Sequence, residues 1–159
     1  MGVSERELRE LPIAAPVLGS QPGRHTLKGV ETNVYAEAAE QSFRITVLGR
    51  GVEVRVRPVE FRFDYGDGSL LASAAPGGPI HQERWGERTA TSHPYTGTGD
   101  YTLSLTTVFA GEFRLEGGPW QPIAGTSEIP SRSRALSVWR SEVRLYADDC
   151  IANPAGEGC

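Results

Sequence analysis

Length, composition and charge favour a single all-β domain. The 159 residues carry a formal charge of -4 with only one lysine, Lys28, which excludes a protein that holds nucleic acid by neutralising phosphates with clustered basic residues. Glycine (19) and proline (11) exceed what a helical protein tolerates, and aromatic and β-branched residues recur in short runs between them. No apolar run approaches the roughly 20 residues needed to cross a bilayer, so we predict no membrane span.

The first 27 residues are predicted to form an extended lead-in to this domain. The segment Ser4 to Leu11 has a serine cap, acidic residues in its first turn and leucines three apart, which allows a turn or two of helix. Three prolines, at 12, 16 and 22, then keep the chain extended. No basic segment followed by an apolar one opens the sequence, so we identify no signal peptide in it.

From Lys28 onward, apolar and polar residues alternate with a period of two, which predicts half-buried antiparallel strands. SFRITVLG (42–49) and VEVRVRP (52–58) are predicted to form a hairpin around GRG at 49–51. EFRFDY (60–65) is the next predicted strand. A long excursion rich in glycine, proline and alanine follows it over residues 69–92.

The second half of the chain continues the β pattern. DYTLSLTTVF (100–109) is predicted as a strand, and the AG at 110 and 111 as a turn into EFRLEGGPWQPI (112–123), which turns again at Gly117 and Gly118. The last element, residues 134–147, fits either a helix face or two strand halves. We expect a strand there, because the preceding elements are β.

The acidic glycine turn over residues 64–68 is either a site or a structural corner. An EF-hand loop needs oxygen ligands at alternate positions and a glutamate at the twelfth, whereas Asp64 and Asp67 are three apart with nothing suitable downstream. Two carboxylates on one tight turn also do not flank a glycosidic bond. We therefore expect a corner whose carboxylates bond to their own loop. A calcium ion on Asp64, Asp67 and Asp100 is the weaker alternative.

The histidines and the sequence motifs indicate no catalytic set. His25 and His81 lie in loops without a metal-ligand partner and are expected to be solvated. His93, in SHPY before a strand, is expected to hydrogen-bond the acidic turn. Because neither a Gly-x-Ser-x-Gly elbow nor a triad pattern occurs, we predict a protein that is not an enzyme and needs no metal or other cofactor.

FDYGDGS, followed by SHPY and then by GTGDYTLSLTTVF, resembles the PKD (polycystic kidney disease) domain. That family has an aromatic-Asp-aromatic-Gly-Asp-Gly turn, a later His-x-Tyr, and a Gly-x-Tyr at the head of a strand. The matching positions here are Phe63, Asp64, Tyr65, Gly66, Asp67, Gly68, His93, Tyr95, Gly99, Tyr101, Leu103 and Leu105. Phe63 stands where the family usually has tryptophan.

The resemblance implies an immunoglobulin-like antiparallel β-sandwich over residues 28–147, with extra C-terminal hairpin elements. In that fold Tyr101 would be a tyrosine corner, with its hydroxyl bonded to backbone just upstream. The resemblance also implies an extracellular or cell-surface location and a role in adhesion, spacing or binding. Residues 19–148 are similar to actinobacterial secreted or surface PKD-containing proteins, through FAGEF and EGGPWQPI.

The expected function is a non-catalytic module that binds a protein or a cell-wall polysaccharide. Trp85, in QERWGER, is the candidate ligand-binding residue, because an exposed indole stacks on sugars or anchors a protein interface. At least two of Trp85, Trp120 and Trp139 are expected to close the sandwich. The alternative is a spacer or assembly subunit that pairs through sheet edges, with the strand from Tyr101 to Phe109 as a possible template.

The two cysteines, Cys150 and Cys159, lie in a C-terminal loop predicted over residues 148–159. We expect them to form a local disulfide, which persists only in an oxidising compartment. Two thiols with no nearby histidine are a poorer match to a metal site, and a catalytic pair is normally closer in sequence.

Overall fold

The structure, a computed structural model, describes residues 3–140, and this part of the chain is mostly β. No helix within it is long and apolar enough to cross a membrane. Its elements are helix α1 (Glu5–Glu10), a 3-10 turn at Gln82–Arg84, and strands β1 (Val17–Gln21), β2 (His25–Leu27), β3 (Glu31–Glu37), β4 (Gln41–Val47), β5 (Arg50–Asp64), β6 (Leu70–Ser73), β7 (His93–Pro94), β8 (Gly99–Leu115), β9 (Gln121–Pro122), β10 (Ser127–Pro130) and β11 (Arg134–Trp139).

The strands form a small sheet and a large one. The small sheet has the order β1-β3-β7 and the large one β2-β11-β8-β5-β4, with β6 pairing to β5, and β9 and β10 to β8. Among the strands within residues 3–140, only β2 and β11 pair in parallel. The all-β class predicted from the sequence is confirmed.

Two long strands, β5 and β8, run through the middle of the large sheet. Their pairing extends from Val52 opposite Leu115 to Asp64 opposite Ser104, with a bulge between Pro58 and Glu60. The buried apolar side chains of β5 are even-numbered before the bulge and odd-numbered after it, whereas those facing them on β8 are odd-numbered throughout. The bulge therefore keeps both sets of side chains on one face of the sheet.

One end of this face packs against the small sheet. The buried side chains between the two sheets form what we call the first core: Leu18, Val34, Ala36, Phe61, Phe63, Tyr65, Tyr95, Leu103, Leu105, Leu136 and Val138. Burial of apolar surface from both sheets holds the two layers together.

The other end of the face packs against the N-terminal segment. This second core contains Val3, Leu8, Leu11, Ile13, Val52, Val54, Val56, Phe109, Phe113 and Ile123. The predicted helical turns are confirmed: α1 begins with a capping box between Ser4 and Glu7. Six helical residues are marginal alone, so burial of Leu8 against the sheet stabilises the helix.

The N-terminal segment is more integrated into the fold than an extended lead-in. Strand β1 pairs with β3, and β2 pairs with β11. Pro16 and Pro22 flank β1 rather than interrupt it. The extended backbone that these prolines favour is the conformation a strand requires, so they delimit the strand.

The prediction of a turn at Ala110 and Gly111 is wrong, because β8 continues through both residues. A Cβ atom on Gly111 would lie 2.9 Å from Leu8 Cδ1 and 3.0 Å from Ile123 Cδ1. Glycine is needed here for the close approach of α1 and Ile123 to the strand. The next predicted turn, at Gly117, is confirmed and leads β8 into β9.

The predicted β4–β5 hairpin is confirmed, but its turn is not the predicted GRG at 49–51, because Arg50 and Gly51 already belong to β5 and pair with β4. Val47 pairs with Arg50, and the two residues between them, Leu48 and Gly49, have φ values of 52° and 76°, as a two-residue hairpin turn requires. EFRFDY is not a separate strand: its residues 60–64 are the end of β5, and Tyr65 follows that strand. In the last predicted element, Arg134–Trp139 is a strand, whereas residues 141–147, together with Cys150 and Cys159, lie outside the described residues.

Candidate binding site

The acidic turn and the SHPY segment meet at one end of the first core, and we call residues 64–68, His93 and Tyr95 the motif corner. Nε2 of His93 lies 2.6 Å from Oδ2 of Asp67. The His93 ring stacks on Tyr65 with centroids 4.4 Å apart and meets the Tyr95 ring edge-on at 4.7 Å. The hydrogen bond expected between His93 and the turn is present.

Both aspartates of the turn accept hydrogen bonds from their own loop. Oδ1 of Asp64 accepts from the backbone N–H of Gly66 at 2.9 Å, and Oδ1 of Asp67 accepts from that of Ser69 at 3.0 Å. Gly66 has a φ of 85°, and a Cβ atom there would lie 2.5 Å from the carbonyl oxygen of Thr102. Conformation and space both require glycine at this position.

Three tyrosine hydroxyls donate to backbone carbonyls around the corner. Tyr65 donates to Thr91 and Tyr95 to Tyr65, each at 2.7 Å, and both side chains are buried. Burial raises the pKa of Tyr65 to about 12 and the pKa of Tyr95 still further. Tyr101 donates to Gly97 at 2.8 Å, which is the bond predicted for a tyrosine corner.

Hydrogen bonds stabilise the negative charge of Asp67 in the motif corner. Burial favours a higher pKa for Asp67, but the hydrogen bonds from His93 and from the Ser69 N–H outweigh it and hold the pKa below its ordinary value of 3.8. The His93 side chain is only 16% exposed and is enclosed by its carboxylate and two tyrosine rings. This arrangement favours a structural histidine over a general base facing a substrate.

Within residues 3–140, no group of three or more His, Cys, Asp or Glu side chains is arranged to hold a metal ion. Two of the carboxylates considered for calcium, Asp64 and Asp67, bond to their own loop as described. The third, Asp100, accepts a hydrogen bond from the Ser137 hydroxyl at 2.7 Å on the neighbouring strand. The structure does not bring the three carboxylates into one oxygen cluster.

Exposed apolar side chains gather elsewhere, at a cleft of about 290 Å³ formed by β2, the start of β3, the excursion and the end of β11. Seven large hydrophobic side chains are exposed within residues 3–140, and four of them line this cleft: Leu27, Val30, Trp85 and Trp139. His25 and Glu31 are among the polar residues that line it. We call it the indole cleft.

Long-range pairing builds one wall of the indole cleft. The parallel pairing of β2 with β11 places Trp139 opposite Leu27. Nε1 of Trp139 donates to Nδ1 of His25 at 3.0 Å, which leaves the imidazole proton on Nε2 when the ring is neutral. His25, expected to be a solvated loop residue, is instead a strand residue bonded to an indole.

The opposite wall comes from the excursion, where Trp85 follows the 3-10 turn and its N–H donates to the carbonyl of Gln82 at 3.1 Å. Between the walls, Glu31 contributes a carboxylate whose Oε2 has no hydrogen-bond partner among residues 3–140. An unpaired buried acceptor is costly.

None of the three tryptophans belongs to the first core, contrary to the prediction that at least two of them close the fold. Trp85 and Trp139 are 38% and 57% exposed, so the exposure expected for Trp85 is confirmed. Trp120 lies beneath two guanidinium groups, with ring-centroid distances of 4.0 Å to Arg55 and 4.7 Å to Arg114. The first core is closed by phenylalanine, tyrosine and aliphatic side chains instead.

Trp139 and Leu27 carry no sequence motif that marks them as site residues. Trp139 and its partner His25 are 114 positions apart, and only the sheet topology joins them. No protein-family model matches the chain, and no curated protein matches it either.

Proposed function

We propose that this chain is a non-catalytic PKD-like module with an immunoglobulin-like sandwich, located outside the cell or on its surface, that binds a cell-wall glycan through the indole cleft. The observation that carries this proposal is the concentration of four exposed hydrophobic side chains, two of them tryptophans, around one cleft. Contiguous exposed apolar surface of this kind marks interaction sites.

The motif corner supports the PKD-like part of the proposal. Three sequence segments that carry the resemblance, around Asp67, His93 and Tyr101, lie together in space and are joined by hydrogen bonds and ring contacts. Two sheets share the first core beneath them. A non-catalytic role is supported by the enclosed His93 and by the loop bonds of both aspartates.

A glycan suits the chemistry of the indole cleft. The electron-rich faces of Trp85 and Trp139 attract the positively polarised C–H face of a sugar ring. His25 and Glu31 add polar groups that can bond to hydroxyls and fix the orientation of the ring. The volume of about 290 Å³ is at the lower end of small-ligand pockets, which suits one or two sugar units.

Direct titration of wall-glycan fragments into the full chain tests the proposal, with Trp85→Ala as the variant. Trp120→Ala is the matched control, because it removes an indole that lies outside the cleft. We expect wild type and Trp120→Ala to bind alike and Trp85→Ala to bind at least about tenfold more weakly. Equal binding by Trp85→Ala would contradict the proposal. If wild type binds a protein and no glycan, and Trp85→Ala loses that binding, the ligand of the indole cleft is a protein.

A sheet edge supports a second candidate function, assembly into larger structures. The strand suggested as a template from the sequence, Tyr101 to Phe109, does not lie at an edge of the large sheet. It belongs to β8, which has β5 on one side and β9, β10 and β11 on the other. Strand β4 instead ends the large sheet and pairs only with β5 among the described strands. Its outer backbone groups are a possible template for a second copy.

Size-exclusion chromatography over a range of concentrations tests this second candidate. A subunit that assembles through β4 elutes earlier as its concentration rises. Thr46→Pro should abolish that shift, because the Thr46 N–H faces away from β5 in a two-residue hairpin and proline removes it without breaking the β4–β5 ladder. Elution that does not depend on concentration would exclude assembly in the range tested.

A further inference from the structure

A second cleft, separate from the indole cleft, gathers three arginines. Arg24, Arg132 and Arg134 line a cleft of about 480 Å³ between the start of β1 and the segment that leads into β11. Its other wall is the apolar segment of residues 15–18, Ala-Pro-Val-Leu, in which Ala15 and Val17 are exposed and Pro16 and Leu18 are buried. We call it the arginine cleft.

Three of the seven arginines that form no salt bridge within residues 3–140 line this one cleft. Seven other arginines of that range do form a salt bridge with a carboxylate: Arg6, Arg9, Arg44, Arg55, Arg62, Arg84 and Arg114. The protein as a whole is acidic, with a formal charge of -4. Three like charges lining one cleft repel one another and attract an anion.

The cleft is partly built in advance of any ligand. Nε of Arg134 donates to the hydroxyl of Ser20 at 2.7 Å, and that buried hydroxyl donates to the carbonyl of Gly23, also at 2.7 Å. This chain of bonds fixes the Arg134 guanidinium and leaves its terminal N–H groups for another acceptor. The carbonyl of Arg24 accepts from the Ser137 N–H at 2.8 Å, which anchors Arg24 beside β11.

We propose that the arginine cleft binds an anionic polysaccharide. The guanidinium fork pairs with the two oxygens of a carboxylate or phosphate group, so charged groups of the chain would lie on the three arginines. The exposed side chains of Ala15 and Val17 on the apolar wall would take the C–H faces of the sugar rings. A volume of about 480 Å³ is larger than a single small anion needs, which favours a chain with repeating charges.

This site does not depend on the indole cleft, because the residues that line the two clefts are different. It adds a second ligand class to the module: charged sugar chains at the arginines, in addition to the wall glycan proposed for Trp85. The two assignments are therefore tested with different variants.

Calorimetric titration of the full chain with three polymers tests the site: polygalacturonate carries carboxylates, phosphomannan carries phosphates, and mannan is uncharged. We expect binding to at least one charged polymer, with weaker binding at high salt, and no binding of mannan by Trp85→Ala, in which the indole cleft is impaired. The first two polymers distinguish which oxyanion is recognised. Failure of both to bind, or equal binding of mannan by Trp85→Ala, would overturn the proposal.

The variant Arg24→Gln with Arg132→Gln removes two exposed charges from the cleft, so the fold is expected to persist, which thermal melting checks. Binding of the charged polymer should fall by about tenfold or more. Arg50→Gln with Arg88→Gln is the matched control, because it removes two exposed charges that also lack a salt bridge within residues 3–140. Equal losses in both pairs would indicate non-specific attraction and overturn the site.

Trp85→Ala distinguishes this proposal from the proposed function. It should leave binding of the charged polymer unchanged, and the Arg24 and Arg132 variant should leave binding of a neutral wall glycan unchanged. Loss of the charged polymer in Trp85→Ala would place that polymer in the indole cleft and overturn the assignment to the arginines.

Discussion

The motif corner and the indole cleft differ in where their side chains direct their bonds. In the corner, carboxylates, an imidazole and hydroxyls bond to other atoms of the same chain, and the imidazole and the hydroxyls of Tyr65 and Tyr95 are largely enclosed. In the cleft, two indoles and two aliphatic side chains remain open to solvent. The polar side chains of the corner thus bond within the fold, whereas the cleft proposed to bind a glycan is lined mainly by apolar side chains.

The largest effect on stability is expected for Gly66→Ala in the corner. The methyl group would meet the Thr102 carbonyl oxygen at 2.5 Å at a positive φ, so the free energy of unfolding should fall by about 3 kcal/mol or more. Gly68→Ala is the matched control, because its φ is 92° but nothing lies within 4 Å of its Cβ. That variant should lose about 1–2 kcal/mol. Equal losses in urea denaturation would contradict the tight packing inferred for the corner.

Asp67→Ala is expected to have the next largest effect. Loss of the carboxylate leaves His93 and the Ser69 N–H without their acceptor, so stability should fall by about 1–3 kcal/mol while glycan affinity is unchanged. Asp100→Ala, at an exposed carboxylate, is the control and should lose about 1 kcal/mol or less. If Asp67→Ala lost glycan binding at unchanged stability, the motif corner would be a binding site, and the contrast drawn with the indole cleft would be wrong.

Asp67→Ala should also change how the stability of the fold depends on acidic pH. Because the folded-state pKa of Asp67 lies below its ordinary value of 3.8, its stabilisation is present above about pH 4 and is lost as the pH falls through the folded-state pKa. Denaturation measured between about pH 5 and pH 2 should therefore show a shallower loss of stability in Asp67→Ala than in wild type.

Tyr65→Phe tests the enclosed hydroxyls of the corner at the alkaline end. The loss of the hydrogen bond to the Thr91 carbonyl should cost about 1 kcal/mol at neutral pH. Because burial raises the Tyr65 pKa from 10 to about 12, its stabilisation is present below pH 10 and is lost as the pH rises through 12. Between pH 10 and pH 12 Tyr65→Phe should lose less stability than wild type. The buried hydroxyl of Tyr95 contributes part of the loss that remains in the variant. Identical alkaline slopes would contradict the burial of this hydroxyl.

The smallest effect on stability is expected in the cleft. Trp85→Ala should change the free energy of unfolding by about 1 kcal/mol or less, because the indole is partly exposed. Its large effect should be on glycan affinity, which is the reverse of the pattern expected for Asp67→Ala. A thermal melt and a titration on the same sample measure both quantities, and a large loss of stability would make Trp85 a structural residue.

Local patterns predicted much of the sheet. Alternation identified the β4–β5 hairpin and the first part of β8, and the resemblance carried by Asp67, His93 and Tyr101 implied a corner whose hydrogen bonds the structure contains. These features depend on neighbours in sequence or on short motifs. In these cases the residue type at a position is enough to predict the contact that its side chain makes.

The remaining features depend on contacts between distant segments. Gly111 resembles a turn residue in sequence, but it lies in a strand because Leu8 and Ile123 pack on it. The bulge after Pro58 changes which residues of β5 are buried without breaking the strand. Exposure of Trp139 follows from its position at the end of β11 beside β2, which no local pattern encodes.

The β5–β8 ladder also has a consequence for the kinetics of folding. Its Asp64–Ser104 end closes a shorter loop than its Val52–Leu115 end, and loop-closure entropy grows with loop length. Pairing is therefore expected to begin beside the acidic turn and to proceed towards α1. In that order of events Gly66→Ala should slow refolding, whereas Leu8→Ala should mainly speed unfolding. The turn would then select the register of the sheet before either core has formed.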